Sequence, residues 1–95
     1  MNKSYLFIYN DEVGTRDQVT GYLNKMTTIV HWRYDIPNMF YLTSEYSADQ
    51  ISKEFEGIAG IKGRFVFMEY NVNSQGRLLS KSWFLLQNKF PKPKE

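Results

Sequence analysis

Two Thr/Ser-x-x-Gln motifs, each lying between segments of strand-type residues, constrain the fold of this chain more than any other feature. Thr15-Arg-Asp-Gln18 and Ser47-Ala-Asp-Gln50 both match a capping box, in which the hydroxyl accepts from the N3 amide and the Gln side chain reaches back. An apolar stripe at helical spacing follows each motif: Val19, Tyr22, Leu23 and Met26 after the first, and Ile51, Phe55 and Ile58 after the second. Each motif therefore predicts the start of an amphipathic helix.

Four other segments have the residue pattern of β-strands. They are rich in β-branched and aromatic residues and are bounded by turn residues, and they cover residues 4–10, 27–34, 39–43 and 64–71. Pro37 and Asn38 predict a turn, so the second and third segments form an antiparallel hairpin. The first and fourth segments are apolar on both sides, which predicts that these two are the central strands.

The order strand, helix, strand, strand, helix, strand is the split β-α-β pattern of the ferredoxin-like fold. It predicts an α+β domain over residues 1–90, with a four-stranded antiparallel sheet, two helices on one face and a short C-terminal extension. Residues 78–90 fit either a short helix, which we prefer, or a buried strand around Trp83–Leu86. Residues 91–95, Pro-Lys-Pro-Lys-Glu, predict a flexible basic tail.

The sheet face away from the two helices needs a cover. We expect Tyr5, Phe7 and Tyr9, with their neighbours on the fourth strand, to form an aromatic patch there. Such a patch is larger than a monomer usually exposes. Either the C-terminal segment or a second subunit is therefore expected to bury it.

Composition excludes several kinds of chemistry. The chain of 95 residues has no cysteine and a single histidine, His31, so it has neither a disulfide framework nor a multi-histidine metal cluster. The apolar run in the first ten residues is too short for a signal sequence or a membrane span. We therefore expect a soluble cytoplasmic protein that does not associate with membranes.

Charge is distributed unevenly along the chain. Residues 62–95 hold seven basic and two acidic residues, a net +5, whereas residues 1–61 hold five basic and eight acidic residues, a net −3. The basic end can serve as a phosphate-binding surface, or it can be a solvated tail with a few solubilising lysines. The candidate nucleic-acid contacts are Arg33, Lys62, Arg64, Arg77 and Lys81.

Five stretches of the chain resemble a small prokaryotic family related to the CRISPR-associated acquisition subunit, the Cas-two-like nucleases, and in particular its SinR-labelled relatives. The stretches are YLFIYND, VHWRYDIPNMFYLTS, SADQISKEF, RFVFMEYN and GRLLSKSWFLLQ. The resemblance implies a dimer of two ferredoxin-like subunits. It also implies an aspartate at the end of the first strand that holds a divalent metal beside its dimer mate, and this chain has Asn10 at that position.

Asp11 and Glu12 follow Asn10 and are the candidate metal ligands, with Asp11 as the candidate catalytic residue. As oxygen ligands they would suit Mg²⁺ or Mn²⁺ and phosphodiester hydrolysis. Acidic residues are also common in turns ahead of a helix N-terminus, which is the structural interpretation of this pair. Two hypotheses follow. In the preferred one, a homodimer binds RNA, DNA or a protein partner without catalysis; in the alternative, it is a metal-dependent endonuclease acting at the dimer axis.

Two further sets of residues are open to a functional interpretation. His31, Arg33 and Asp35 alternate along the second strand, as a base, a phosphate ligand and an orienting carboxylate would, although any solvated sheet face has such triplets. Aromatic side chains suited to stacking on bases, or to the core and a dimer interface, are Trp32, Tyr34 and Trp83.

Overall fold

The computed structural model describes residues 1–91 and contains four strands and three helices in this part of the chain. The elements are β1 (Lys3–Tyr9), α1 (Arg16–Lys25), β2 (Ile29–Tyr34), β3 (Met39–Ser44), α2 (Ala48–Ala59), β4 (Phe65–Glu69) and α3 (Ser80–Asn88). The predicted α+β class and the ferredoxin-like element order are confirmed. The ambiguous segment 78–90 contains a helix, as preferred, and Pro91 is the only residue of the predicted tail that lies within the described part.

Both predicted capping boxes are present. The Thr15 hydroxyl accepts from the Gln18 amide at 3.2 Å and the Gln18 side chain accepts from the Thr15 amide at 2.9 Å. Ser47 and Gln50 make the same reciprocal pair at the start of α2. Each box satisfies backbone donors that have no partner within the first turn of a helix, which fixes where α1 and α2 begin.

The strands form one antiparallel sheet in the order β2-β3-β1-β4. The central strands are β1 and β3, so the prediction that the first and fourth strands are central is wrong for β4, which is an edge strand. The reason is visible in its alternation. Phe65 and Phe67 pack into the core against α2, whereas Val66 and Met68 lie on the other face and are exposed. Apolar residues on both sides of a strand therefore did not mean that both faces are covered.

The main core lies between the sheet and helices α1 and α2. Phe7 on the central strand β1 is fully buried. The centre of its ring lies 4.3 Å from the ring centre of Phe67 and 4.9 Å from that of Phe55. Tyr5 and Tyr9 point to the same side and are buried too. The expectation that these aromatic residues form the uncovered patch is wrong, because the alternation of β1 turns its aromatic side, and not its Leu6/Ile8 side, toward the helices.

Helix α3 covers part of the opposite sheet face. Leu85 and Leu86 pack on Tyr41 of β3, and the Ser4 hydroxyl of β1 donates to the Leu86 carbonyl oxygen at 2.9 Å. The cover stops short of β4. Ile8, Val66 and Met68, which we call the open strip, keep 38%, 42% and 44% of their surface exposed. The C-terminal segment thus buries one half of this face and leaves an apolar half next to the β4 edge.

Among residues 1–91, no helix has the length and apolar character that crossing a bilayer requires.

Candidate functional site

The turn after β1 brings together the residues that the sequence singled out for metal chemistry. The side-chain Oδ1 of Asn10 accepts from the backbone amide of Arg64 at 3.0 Å. The backbone amide of Asn10 donates to the Arg64 carbonyl oxygen, also at 3.0 Å. Its Nδ2 donates to Glu12 Oε1 at 3.3 Å. Both polar atoms of the Asn10 side chain are therefore hydrogen-bonded, and its Oδ1 links the end of β1 to the start of β4.

Gly63 makes this close approach possible. Its φ is +71°, and a Cβ built there would lie 2.6 Å from the Val13 nitrogen and 2.7 Å from Asn10 Oδ1. Neither distance is available to a real side chain, so only glycine lets the chain pass Asn10 on its way into β4.

Asp11 is exposed and contacts the β2–β3 turn. Its Oδ1 accepts from Asn38 Nδ2 at 2.9 Å, and the same Nδ2 donates to the Tyr9 carbonyl oxygen at 3.1 Å. Asn38 has a φ of 61°, which Asn tolerates better than most residues. Asp11 thus helps to hold this turn against the end of β1.

Within the described residues of one chain, Asp11 and Glu12 do not form a metal centre by themselves. Each carboxylate accepts from a different amide side chain, and within residues 1–91 no three His, Asp or Glu residues are grouped closely enough to hold a metal ion. A hard divalent cation takes six or more oxygen ligands, so two carboxylates of one chain would need support from a second chain or from substrate. The metal and catalytic roles of Asp11 and Glu12 remain predictions that require the dimer.

The five candidate phosphate contacts fall into different surroundings. Lys62 and Arg64 are exposed at the start of β4, next to Asn10; Arg77 and Lys81 are exposed on the α3 side. The ion pairs within 4.0 Å in the described part of the chain join Met1 to Glu45 and Lys53 to Asp49, so none involves the candidates. Four of the five are therefore open to solvent and to a phosphate.

Arg33 is the exception, because it holds α3 to the sheet. Its Nε donates to Ser82 Oγ at 2.9 Å, and Ser82 Oγ donates to Asp35 Oδ2 at 3.0 Å. Asp35 Oδ2 also accepts from the Leu79 amide at 2.8 Å, at the N-terminus of α3, where Leu79 offers no side-chain cap. We call Arg33 of β2, Asp35 just after β2 and Ser82 of α3 the α3 bracket. It contains two of the three alternating polar residues His31, Arg33 and Asp35.

His31 does not join the α3 bracket through a hydrogen bond of its side chain within residues 1–91. Its backbone amide donates to Thr43 Oγ1 at 3.1 Å, at an irregularity in the β2–β3 pairing between Ile29 and His31. The structure thus does not assemble His31, Arg33 and Asp35 into a catalytic set.

The three aromatic candidates lie on two different surfaces. Trp32 and Tyr34 are nearly parallel on the helix side of β2, with ring centres 6.4 Å apart, and the Arg16 guanidinium lies 4.2 Å above the Tyr34 ring. Trp32 Nε1 donates to Asn24 Oδ1 at 2.8 Å. Trp83 lies on α3, on the other side of the sheet. Trp32 and Tyr34 are thus engaged with α1, and Trp83 belongs to a different surface.

Tyr41 was missed by sequence reasoning. It is fully buried between the sheet and α3, and within the described residues its hydroxyl has no hydrogen-bond partner. Burial and the nearby Asp35 carboxylate raise the pKa of Tyr41 to about 12, against a smaller lowering by Arg33. An aromatic residue in a central strand gives no sequence signal that separates it from ordinary core.

Taken together, the sheet order and the two helices on one face define a ferredoxin-like α+β domain with a third helix on the opposite face. A comparison with protein-family models, curated proteins and solved structures finds no match to this chain. The resemblance to the Cas-two-like family therefore stays a prediction from the residues quoted above.

Proposed function

We propose that this chain is a cytoplasmic, non-catalytic homodimer of the Cas-two-like type that binds a nucleic acid. The observation that carries the proposal is the open strip of Ile8, Val66 and Met68, an apolar surface on the half of the sheet that α3 leaves bare. Exposed apolar surface of this kind beside an unpaired edge strand is typical of an interface.

The second copy fits this surface through its own open strip. A two-fold axis between the sheets would place strip against strip, because an isologous interface uses the same patch on both subunits. Stacked sheets lie about 10 Å apart, and a helix is about 10 Å wide. The sheet of the second copy can therefore lie in the same layer as α3 of the first copy, side by side with it. In that arrangement each α3 also lies along the free β4 edge of its partner.

The turn at Asn10 supports a binding function over catalysis. An Asn side chain has no negative charge to offer a hard cation, and both of its polar atoms already have protein partners. The acidic neighbours Asp11 and Glu12 are likewise hydrogen-bonded to amides. These contacts fix the turn, and within residues 1–91 they leave one oxygen each of Asp11 and Glu12, Oδ2 and Oε2, without a partner.

Lys62 and Arg64 support a nucleic-acid partner. Both are exposed near one end of the open strip, and Arg64 borders a shallow hollow with Ile8 and Val66. Each phosphate neutralised by such a side chain releases condensed counterions, so affinity that depends on them falls steeply with salt.

The dimer is tested by light scattering coupled to size-exclusion chromatography. We expect the wild type to have the mass of two chains and Val66→Lys to have the mass of one. Val30→Lys is the matched control, because Val30 is also an exposed valine on an edge strand but lies outside the open strip. A monomeric wild type, or a Val66→Lys variant that stays dimeric, would overturn the proposed interface.

Nucleic-acid binding is tested on the same samples by fluorescence anisotropy with labelled single- and double-stranded RNA and DNA across a salt series. We expect Lys62→Ala/Arg64→Ala to weaken binding and to reduce the salt slope by about one per lost contact. Lys25→Ala, an exposed lysine on α1, is the control. A dimer without affinity for any of these nucleic acids would contradict this partner and favour a protein.

Catalysis is tested by incubating the same nucleic acids with Mg²⁺ or Mn²⁺. We expect no cleavage by the wild type. Cleavage that disappears in Asp11→Ala would overturn the non-catalytic proposal and establish the endonuclease alternative.

A further inference from the structure

A cavity of about 270 Å³ lies on the α3 side of the sheet and borders the open strip, because Leu6 of its lining pairs with Met68. Leu6, Met39 and Tyr41 form its floor on the sheet, and Trp83 and Leu86 of α3 form one wall. Tyr70, just after β4, and the segment 74–78 enclose it from the other side. The cavity therefore has a predominantly apolar and aromatic lining of the kind that small-molecule sites have.

The Tyr41 hydroxyl is an independent sign that this cavity has a polar function. A buried hydroxyl without a partner loses its hydrogen bonds to water and gains none in return, which is uncommon in folded proteins. A phenylalanine would fill the same place in the apolar floor without that cost. The hydroxyl is closed off even from water in the free chain, so an acceptor atom of a ligand would supply the missing partner only by widening the cavity toward Tyr41.

Arg77 determines the charge of a fitting ligand. It is the one charged residue among those lining the cavity, it is exposed, and within residues 1–91 it has no ion pair. None of the lining residues is acidic. A guanidinium at the rim of an aromatic cavity complements a planar carboxylate, which it can bind through two parallel hydrogen bonds.

We propose that this cavity binds a small aromatic carboxylate, with the ring against Trp83 and Tyr70, the carboxylate on Arg77 and a ring acceptor toward the Tyr41 hydroxyl. The volume lies near the lower limit for ligand sites, about 300 Å³, so it suits a ligand of one or two rings. The inference does not depend on the proposed dimer or on nucleic-acid binding.

The first experiment follows the two Trp indole N–H signals in a ¹H–¹⁵N spectrum of the full chain during ligand titration. The probes are benzoate, nicotinate and indole-3-carboxylate, each compared with its carboxamide. We expect at least one carboxylate to shift the Trp83 signal saturably and to leave Trp32, on the other side of the sheet, unmoved. Absence of a saturable Trp83 shift with all three carboxylates at millimolar concentration would overturn the proposal.

Variants then test the two polar roles. Arg77→Gln is expected to weaken carboxylate binding by about tenfold or more, as for loss of a charge-assisted hydrogen bond, and to leave the carboxamides unaffected. Lys25→Gln, which removes the same charge far from the cavity, should change neither. Carboxylate affinity that survives Arg77→Gln would overturn the assignment.

Tyr41→Phe tests whether the Tyr41 hydroxyl binds the ligand or stabilises the free chain. We expect it to weaken nicotinate, which carries a ring acceptor, by about three- to tenfold, and to leave benzoate unchanged. Because the hydroxyl has no protein partner, the denaturation midpoint of the free chain should not fall. Equal weakening of nicotinate and benzoate would contradict the proposed hydrogen bond.

Discussion

Asn10 Oδ1 accepts a hydrogen bond from the Arg64 backbone amide at 3.0 Å, so one side chain joins the end of β1 to the beginning of β4 across 54 residues of sequence. The same side chain donates through Nδ2 to Glu12. An aspartate could keep the first contact but not the second. This position therefore has a structural reason to be Asn that does not depend on any binding partner.

Asn10→Asp is expected to lower the free energy of unfolding at pH 7, because it places a second carboxylate 3.3 Å from Glu12 Oε1 in place of a donor. The loss should be about 1 kcal/mol, as for two charges in contact near water. Urea denaturation measures it. Glu12→Gln should abolish most of the loss in the double variant, and an equal loss with and without Glu12 would contradict the explanation.

Glu54 predicts a defined response to acid. Its carboxylate accepts four hydrogen bonds, from the backbone amides and hydroxyls of Thr27 and Thr28, at 2.6 to 3.0 Å. Burial raises the pKa of Glu54, but these hydrogen bonds outweigh it and lower the pKa from 4.5 to about 2. A carboxyl with a lowered folded pKa stabilises the fold fully above its unfolded value and loses that contribution as pH falls.

We therefore expect Glu54→Gln to destabilise the chain at pH 7 by about 1–3 kcal/mol, since Gln presents donors where an acceptor is needed. The difference from the wild type should shrink between about pH 5 and pH 2, as the wild-type carboxylate becomes protonated. Thermal denaturation across that range measures it. Glu56→Gln makes the same charge change on α2, where no side-chain hydrogen bond to Glu56 is present in the described residues. A constant difference across the range would refute the assignment.

Features that depend on residues close in sequence could be predicted, whereas features that depend on distant segments could not. Thr15 with Gln18 and Ser47 with Gln50 are three residues apart, so the sequence alone determines both helix starts. Strand order depends on pairing between distant segments. Strand β4 has apolar residues on both faces, but only the face with Phe67 is covered, and Val66 and Met68 on the other face are exposed. Residue type alone does not show which apolar face is covered.

The α3 bracket shows the same limit at the candidate site. The sequence indicated Arg33 and Asp35 as a polar pair on one side of β2, and they do lie together. Their partner Ser82 is 49 residues beyond Arg33, and nothing in a Ser-Lys-Ser-Trp stretch distinguishes a buried serine from an exposed one. A catalytic interpretation of the pair was possible only because that partner was unknown.

Ser82→Ala is expected to loosen α3. Ser82 is fully buried, and removal of its hydroxyl leaves the Arg33 Nε donor without its acceptor and takes one donor from Asp35. The expected loss is about 1–3 kcal/mol, as for buried groups left without partners. Hydrogen exchange of the α3 amides should accelerate. Ser80→Ala, an exposed serine in the first turn of α3, is the control, and equal effects of the two variants would contradict the role of the bracket.

Gly63→Ala tests the passage of the chain past Asn10. The residue has a φ of +71°, and its new Cβ would meet the Val13 nitrogen at 2.6 Å and Asn10 Oδ1 at 2.7 Å. Both the backbone strain and the clash act against the folded state, so we expect a loss of about 2 kcal/mol or more. Urea denaturation measures this loss, and the Asn10–Arg64 hydrogen bonds should weaken with it.

Gly57→Ala supplies the opposite expectation within the same chain. Gly57 lies inside α2, and a Cβ built there has no heavy atom within 4 Å beyond its own helix. Alanine reduces the conformational entropy of the unfolded chain and favours helix, so this variant should gain about 0.5–1 kcal/mol. Comparison of the two substitutions thus separates the intrinsic conformational preference of alanine from the effect of the close contacts at position 63. If Gly63→Ala were as harmless as Gly57→Ala, the close contact between the start of β4 and the Asn10 turn would not exist in solution, and the structural reason for Asn at position 10 would fail with it.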